Sequence, residues 1–379
     1  MATFRKRGTK WEYRIRYTDR QSGKRKEKAK GGFTTKKEAQ VSAIEEESKI
    51  NQFGFAENGD EFVEKYFEEW LEVFKRPNVK PITYSVQERN VRLNILPRWG
   101  NYRLKDITRV EYQKWINSLI EKYSEGTIRR IQSIFSSAMH DAVHEFRIIR
   151  DNPIQRISIP RDVKTKEISF FNKDELVVFL ESLTITQKNA KYQLSKQYFY
   201  LFTLMARTGL RIGEALALNW SDLHEDKLIV NKTLVYPTNT TAYISTPKTK
   251  KSKREIKLDE YTVKILKQHS LNQKQVILRY ANYQSSKNGY MFHQHDGRWL
   301  RTNVVRDYFK VACERASVPI LSPHALRHTH AVHLLEAGAN IKYVSERLGH
   351  ASIVVTADTY LHITDKIEDD NLSLYSAYI

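Results

Sequence analysis

The sequence predicts a mainly α-helical chain with small β-sheets, arranged as three successive parts. Residues 11–17 alternate apolar with charged side chains, the period-2 pattern of a half-buried strand, and a helix signal follows them. From residue 62 onward, large apolar residues recur at helical spacing, and later helix signals are interrupted by short strand-like segments. We therefore expect a small sheet-plus-helix domain at residues 1–50, a helical domain at 61–150 and a mixed α+β domain at 168–379.

The charge balance of the chain is strongly basic. Lys and Arg total 63 against 44 Asp and Glu, which gives a net charge of +19 and a pI near 9.6. Such an excess predicts a polyanionic partner, with nucleic acid the first candidate and a membrane surface the second. We find no apolar run long enough to span a bilayer and no segment typical of a secretory signal. Cys313 is the only cysteine, which excludes an internal disulfide and a multi-cysteine zinc site and fits a reducing cytosol.

The first fifty residues carry much of this charge. Residues 1–37 hold 14 Lys or Arg and 3 Asp or Glu, a local net charge of +11. We expect strands over 11–17 and 24–30, a turn over 19–23 between them, and a helix from a Thr35-x-x-Glu38 capping box to about Ile50. Contact with DNA is favoured by aromatics and cations on opposite faces, and a solvated strand pair is the alternative. The candidate DNA-binding residues here are Arg14, Arg16, Lys24, Arg25, Lys26 and Lys28.

The middle part is predicted to contain four helices after a linker at residues 51–60. They are expected from Phe62 to Pro77, over 83–96 with a stop at Pro97, from a Thr108-x-x-Glu111 capping box, and from about Thr127. Their aromatic and aliphatic stripes predict a hydrophobic core and not a cofactor site. Residues 155–167 lack apolar periodicity and hold four basic residues, which predicts an extended linker.

The last part mixes helices and strands. Helices are expected from an Asn172-x-x-Glu175 capping box to about Leu183, and over about 195–207, 260–283 and 302–316. Strands are expected over 227–235, 242–246 and 254–258.

Two motifs in the first half of this part bring cations together. A Thr-Gly-Leu-Arg211-x-x-Glu214 box places a guanidinium and a carboxylate one helical turn apart, which fits either a phosphate grip or an exposed ion pair. The basic segment 247–254 lies between two predicted strands and therefore reads as a hairpin tip. Its lysines are candidates for phosphate contact, although most cations in such a run are simply solvated. They are Lys248, Lys250, Lys251 and Lys253.

Two further motifs follow near the end of the chain. In the first, His324-x-x-Arg327, the two side chains lie one helical turn apart and can address the same cluster of oxygens. The histidines from His324 to His333 also raise the question of a metal site. We reject it, because there is no His-Glu-x-x-His pattern and no nearby cysteine, and a basic environment repels a cation. The second motif is Leu-Gly-His350, followed ten positions later by Tyr360.

Taken one at a time, these residues have ordinary explanations, since a lone tyrosine is usually core or surface. Taken together, two arginines, a lysine, two histidines and a tyrosine fit phosphoryl transfer without a metal. Such a reaction needs positive charge around the non-bridging oxygens, a nucleophile, and an acid for the leaving oxygen.

In the order and type of these four boxes, the chain resembles the tyrosine recombinase, or phage-type integrase, family. The resemblance implies that Tyr360 attacks a DNA phosphate to leave a 3′-phosphotyrosyl bond and a free 5′-hydroxyl. It implies that Arg211 and Arg327 hold the non-bridging oxygens, His324 manages the tyrosine proton and Lys248 protonates the leaving oxygen. It also implies a hydrogen bond from His350 and a supporting role for Glu214. No cofactor and no metal are expected, because the phosphotyrosine bond stores the energy for rejoining.

The resemblance extends more weakly to the rest of the chain. Residues 1–50 resemble an arm-site DNA-binding domain, and residues 61–150 a helical core-binding domain with a SAM-like fold; residues 168–379 would then be the catalytic domain. The family resemblance implies a homotetramer acting on double-stranded DNA with core and arm sites through a Holliday junction, so that a mobile element is integrated or excised. An excisionase and a host DNA-bending protein are further expected partners, and a cytoplasmic, DNA-associated protein is expected.

Two alternative functions fit parts of the sequence. A non-catalytic DNA-binding regulator explains the charge and the helices but not the ordered catalytic set. A type IB topoisomerase-like enzyme shares the chemistry and relaxes supercoils without exchanging partners. The separate basic N-terminal part favours a recombinase, which must recognise extra sites.

Overall fold

The computed structural model forms two compact units, Met1–Thr165 and Lys166–Ile379. It describes residues 2–18, 25–53, 59–159, 169–184, 190–237, 241–246, 250–279, 281, 284–360 and 376. The mainly helical fold with small antiparallel sheets confirms the predicted fold class. Among the described helices, none combines the length and apolar character needed to cross a membrane.

The chain begins with a three-stranded antiparallel sheet and one helix. The strands are β1 (Ala2–Arg7), β2 (Lys10–Thr18) and β3 (Arg25–Phe33), in that order, followed by helix α1 (Lys36–Phe53). Tyr13 and Ile15 on β2 are buried against Ala43 of α1, so the predicted alternation is confirmed. The predicted capping box is present, because the Glu38 amide donates to the Thr35 hydroxyl. Strand β1 was not predicted, α1 extends into the predicted linker, and the predicted turn lies outside the described residues.

A helical bundle completes the first unit. Its helices are α2 (Val63–Glu69), which continues as a π-helical segment to Lys75, α3 (Pro81–Asn90), α4 (Leu96–Trp99), α5 (Arg109–Ser118) and α6 (Glu125–His144). The Thr108 cap is confirmed by a hydrogen bond from the Glu111 amide. The prediction that a helix stops at Pro97 is wrong. A π-helical segment, Val91–Ile95, joins α3 to α4, and Pro97 lies in the first turn of α4, where its missing N–H is tolerated.

The core of this bundle is built from the predicted aromatic stripes. Trp70, Trp99, Tyr112 and Phe135 are each fully buried. The Trp70 indole donates to Asp141 at 2.8 Å, which gives this buried carboxylate a partner.

The second unit has eight helices and five short strands among its described residues. They are α7 (Lys173–Ser182), α8 (Ala190–Thr208), α9 (Ile212–Ala215), β4 (Leu223–His224), β5 (Lys227–Val230), β6 (Thr233–Val235), β7 (Tyr243–Ser245), β8 (Arg254–Lys257), α10 (Glu260–Arg279), α11 (Thr302–Ala316), α12 (Ala325–Glu336), α13 (Ile341–Leu348) and α14 (Ile353–Tyr360). Helix α8 packs against α10 and α12, and its Leu201, Phe202 and Met205 are buried in the core. The Asn172 capping box is confirmed, and α11 has the predicted bounds.

The strands pair differently from the prediction. The expected strand over 227–235 is two strands: β5 lies in a sheet of order β4-β5-β8, and β6 pairs with β7 in a separate sheet. Buried Leu228, Val230 and Leu234 keep even spacing across the break, so periodicity did not reveal it. Lys232 lies between β5 and β6, and its ammonium forms an ion pair with Asp222 at 2.7 Å. Because β7 and β8 do not pair, the basic segment connects two sheets and is not a hairpin tip.

Candidate active site

Arg211 and Glu214 lie where α8 ends and α9 begins. The turn requires Gly209, which has φ of +68°, and a Cβ there would lie 2.5 Å from Leu348 Cδ2. The Arg211 amide donates to Glu214 Oε2 at 3.1 Å, and its guanidinium donates to Oε1 at 2.9 Å. The Arg211 side chain stays 39% exposed while that of Glu214 is 4% exposed. The ion pair is therefore present, but its carboxylate is buried and not exposed, and the arginine remains accessible to a ligand.

Arg254 on β8 is a site residue that the sequence analysis missed. Its guanidinium donates to Glu214 Oε2 at 3.0 Å and to the Arg347 carbonyl at 2.7 Å, and its side chain is 6% exposed. Burial alone would raise the pKa of Glu214, but Arg254 and Arg211 outweigh it and hold that pKa below its ordinary value. A signal was available, because Arg254 is on the same strand face as buried Ile256.

Arg327 on α12 is fully buried at 1% exposure. It donates to the carbonyl oxygens of Gly209 and Leu348, each at 2.8 Å, so it joins the end of α8 to the end of α13. Burial lowers the pKa of Arg327 to about 9, with the nearby Arg211 charge contributing, and the group stays protonated at neutral pH. The site thus contains a fixed positive charge.

Tyr360 is the last residue of α14, and its side chain is buried at 1% exposure. Its hydroxyl lies 2.8 Å from Nδ1 of His328. Burial raises the pKa of the Tyr360 phenol, while Arg327 and Arg211 partly oppose that rise. Both arginines are therefore close enough to act electrostatically on the hydroxyl.

The structure places His328, and not His324, at the tyrosine hydroxyl. His324 precedes α12, and its ring meets that of His328 edge to face at 4.8 Å. Partial burial and the charges of Arg327 and Arg211 lower the pKa of His324. From the sequence alone, His328 was a candidate only for the rejected metal site. No three His, Cys, Asp or Glu side chains of the described ranges group as a metal site.

His350 follows the left-handed Gly349 that ends α13. Its Nδ1 lies 2.8 Å from the Thr356 hydroxyl of α14. Burial, followed by the charges of Arg327 and Arg211, lowers the pKa of His350 to about 4. A Cβ on Gly349 would lie 3.1 Å from Arg254 and 3.3 Å from the Lys251 carbonyl, so this glycine lets the basic segment approach.

The predicted lysines are only partly described. Lys248 and the side chain of Lys250 lie outside the described residues, and Lys251 and Lys253 are exposed. Residues Lys250–Ser252 form a 3₁₀ turn that leads into β8. The described end of the segment therefore adjoins Gly349, next to His350.

The candidate DNA-binding residues of the N-terminal sheet do not share one face. Arg14 and Arg16 lie on the face opposite α1 and both pair with Glu27, at 3.2 and 2.9 Å. Lys28 pairs with Glu46 of α1. Arg25 is exposed, whereas Lys24 and the side chain of Lys26 lie outside the described residues. Strand β1, missed by the sequence analysis, adds three exposed cations. They are Arg5, Lys6 and Arg7.

Three family models match successive stretches of the chain. The model of the phage integrase family matches residues 170–366, just over half of the chain. The chain belongs to this family. It is a tyrosine site-specific recombinase, an enzyme that breaks and rejoins DNA. A phage integrase N-terminal SAM-like domain matches residues 62–120 of the recombinase, and an arm DNA-binding domain matches residues 3–50.

Relatives and solved structures agree with this family. The recombinase is 30% identical to a XerC-like tyrosine recombinase of Caldanaerobacter subterraneus, over 78% of each chain. It is 27% identical to the ICEBs1 integrase of Bacillus subtilis, over 76% of this chain and 78% of that one. Its fold is similar to that of the Tn1549 transposon integrase, solved with transposon right end DNA. That match has a TM-score of 0.69 at 22% identity and covers 83% of this chain and 100% of the other.

Proposed function

We propose that this recombinase integrates or excises a mobile DNA element and that Tyr360 is its nucleophile. The observation that carries the proposal is the position of the Tyr360 hydroxyl, which hydrogen-bonds His328 within electrostatic reach of Arg211 and Arg327. The phenol oxygen attacks the scissile phosphorus, a 3′-phosphotyrosyl bond forms, and the bond to the 5′-oxygen breaks. Rejoining reverses these steps with a new 5′-hydroxyl, so no external energy source is required.

Arg211 and Arg327 supply the charge for this step. A phosphoryl-transfer transition state spreads negative charge over its non-bridging oxygens, and fixed guanidinium groups stabilise that charge. Arg211 is exposed enough to contact DNA, while Arg327 is held by two carbonyls. Glu214 and Arg254 support the site by orienting Arg211. His350, beside the same arginines, gives a further hydrogen bond to the phosphate.

The leaving 5′-oxygen needs a proton, and we assign Lys248 as its donor. The described end of the basic segment supports this assignment, because the Lys251 carbonyl would lie 3.3 Å from a Cβ on Gly349, next to His350. Lysine in a cluster of cations is a better acid than an isolated one. Lys250, Lys251 and Lys253 would contact phosphates. We assign His324 to the non-bridging oxygens, because it is more exposed than His328 and lies beside Arg327 and Arg211.

We assign residues 1–50 to arm-site binding, 61–150 to core-site binding and 168–379 to catalysis. The matched domain descriptions support this division, and the DNA-bound Tn1549 integrase supports double-stranded DNA as the substrate. A net charge of +19 supports the same partner. In the N-terminal sheet, the face opposite α1 carries Arg5, Arg14 and Arg16 and is the proposed DNA-facing surface.

We infer that four protomers act together through a Holliday junction. Exchange between two duplexes breaks four strands, and each chain has one Tyr360, so four chains are needed. An excisionase and a host DNA-bending protein would set the direction of the reaction.

The test is covalent capture on nicked duplex DNA that spans the ends of the element carrying this gene. The wild-type chain should form an adduct that survives a denaturing gel, in buffer containing EDTA. Tyr360→Phe should still bind the same DNA and give no adduct, because the ring is kept and the nucleophile is lost. Tyr343→Phe, on the exposed face of α13, is the matched control and should react normally. An adduct of normal yield from Tyr360→Phe would place the nucleophile elsewhere.

A further inference from the structure

We propose that His328 accepts the proton of Tyr360 during DNA cleavage and returns it during rejoining. The inference rests on the proposed function, since it concerns the proposed nucleophile. The family resemblance implies that task for His324, but the Tyr360 hydroxyl lies against His328.

His328 and Tyr360 are in direct hydrogen-bond contact. His328 Nδ1 and the Tyr360 hydroxyl are 2.8 Å apart, a normal length for a hydrogen bond in which a phenol donates. The two rings lie with centroids 5.7 Å apart. Among the described residues, the side chain of His324 makes no hydrogen bond and meets His328 only edge to face. The base that a nucleophile needs must lie within hydrogen-bond reach, and His328 meets that condition.

The surroundings of His328 keep its ring neutral and able to accept a proton. Burial, followed by the electrostatic effects of His324 just before α12 and of Arg327 on α12, lowers the pKa of His328 to about 4. His350 and Tyr360 face it from the other elements, and they carry no negative charge at neutral pH. His328 is thus neutral before DNA binds, and one ring nitrogen has a free lone pair.

Bound DNA would then strengthen this base. A scissile phosphate held by Arg211 and Arg327 brings a negative charge to the site and offsets the cations that depress the His328 pKa. As the Tyr360 oxygen bonds to phosphorus, its proton moves to His328 Nδ1, and the bond to the 5′-oxygen breaks with a proton supplied by the general acid. In rejoining, the 5′-hydroxyl attacks phosphorus and gives its proton back to the general acid, and His328 returns the other proton to the departing phenol. Every proton is conserved over the cycle.

A DNA-free measurement tests the hydrogen bond. In the full-length chain labelled with ¹⁵N-histidine, His328 should carry its proton on Nε2, leaving Nδ1 as the acceptor. Tyr360→Phe should shift the His328 Nδ1 resonance and leave that of exposed His295 unchanged. A proton on Nδ1 would reverse the direction of the hydrogen bond and overturn the proposal.

A kinetic measurement tests whether His328 acts as the general base. Nicked duplex DNA from the element ends is prepared with a normal or a sulfur-substituted bridging 5′-oxygen. Sulfur leaves without a proton, so the substituted substrate reports the tyrosine side of the reaction. On it, His328→Asn should form adduct about 100-fold more slowly at neutral pH, because removal of a general base costs about that much. Its rate should recover as pH rises and solvent hydroxide takes the phenol proton. DNA affinity should stay unchanged.

The adduct rates distinguish three cases: His328 acts as a general base, His328 only positions Tyr360, or the proposed function itself is wrong. Asparagine can accept a hydrogen bond where Nδ1 does but cannot take the proton, so a normal rate for His328→Asn would reduce His328 to a positioning residue and overturn the proposal. A pH-dependent loss in His324→Asn alone would also overturn it. His295→Asn is the matched control and should react normally. No adduct from the wild-type chain on either substrate would overturn the proposed function itself, and the tautomer measurement would still report on the contact.

Discussion

Glu214 is buried between two guanidinium groups, and this arrangement explains why Arg254 belongs to the site. A buried carboxylate is stable only when it is paired and hydrogen-bonded, and Glu214 accepts from both Arg211 and Arg254. With Arg327 nearby, three arginines face one carboxylate, which leaves an excess of two positive charges. A bound DNA phosphate would offset that excess.

Arg254→Ala should slow covalent capture by about 10- to 100-fold, the usual cost of removing a side chain that orients a reacting group. Glu214 would lose a partner, and Arg211 would lose its fixed orientation. Arg254→Lys should also be slow, because an ammonium cannot reproduce the guanidinium fork. Lys257→Ala, an exposed cation on the same strand, should react normally. A wild-type rate for Arg254→Ala would show that Arg211 is oriented without it.

At the scale of helices and strands, the sequence correctly predicted the features that depend on interactions between neighbouring residues. The Thr35, Thr108 and Asn172 caps begin helices as expected, because each hydrogen bond spans only three residues. The break between β5 and β6 was missed because the pairing of each strand depends on distant partners.

The active site also contains residues that local motifs predict and residues that depend on distant partners. The six catalytic residues predicted from sequence, Arg211 to Tyr360, all fall within the range 166–379, and each belongs to a local motif. Arg254 and His328 were missed because their partners, Glu214 and Tyr360, are 40 and 32 residues away. The alternation along β8 indicated only that Arg254 faces inward, and no local spacing reports which distant residue a side chain contacts.

Alanine variants of the lysines in the basic segment test which residue is the general acid. Lys248→Ala should cleave normal DNA about 100-fold more slowly, the usual contribution of a general acid. It should recover on DNA with a sulfur leaving atom, which needs no proton. Arg211→Ala should not recover, because its task is charge on the non-bridging oxygens. Alanine variants of Lys250, Lys251 and Lys253 would lose proposed phosphate contacts and not the acid, so sulfur should not rescue them. Rescue of one of these instead of Lys248 would transfer the assignment to that lysine.

At the scale of the whole molecule, the most basic region and the candidate catalytic residues lie in different parts of the chain. Residues 1–37 have a net charge of +11, yet every candidate catalytic residue lies in the unit Lys166–Ile379. A part without catalytic residues that carries so much charge is suited to recognising a second DNA site.

Removal of residues 1–55 should therefore leave cleavage of the core site nearly unchanged while abolishing integration at a full attachment site. Integration needs the arm contacts proposed for the N-terminal sheet, whereas cleavage needs only the later parts. The measurement is adduct yield on core DNA beside recombinant yield on full-site plasmids.

In the full-length chain, Arg5→Ala should weaken arm binding and reduce its salt slope by about 1, as expected for one lost phosphate contact. Lys37→Ala, an exposed cation on α1, removes the same charge away from the proposed face and should have little effect. Efficient integration by the truncated chain would show that the sheet is not required. A normal salt slope for Arg5→Ala, with integration still lost on truncation, would mean that DNA lies on another face of the domain.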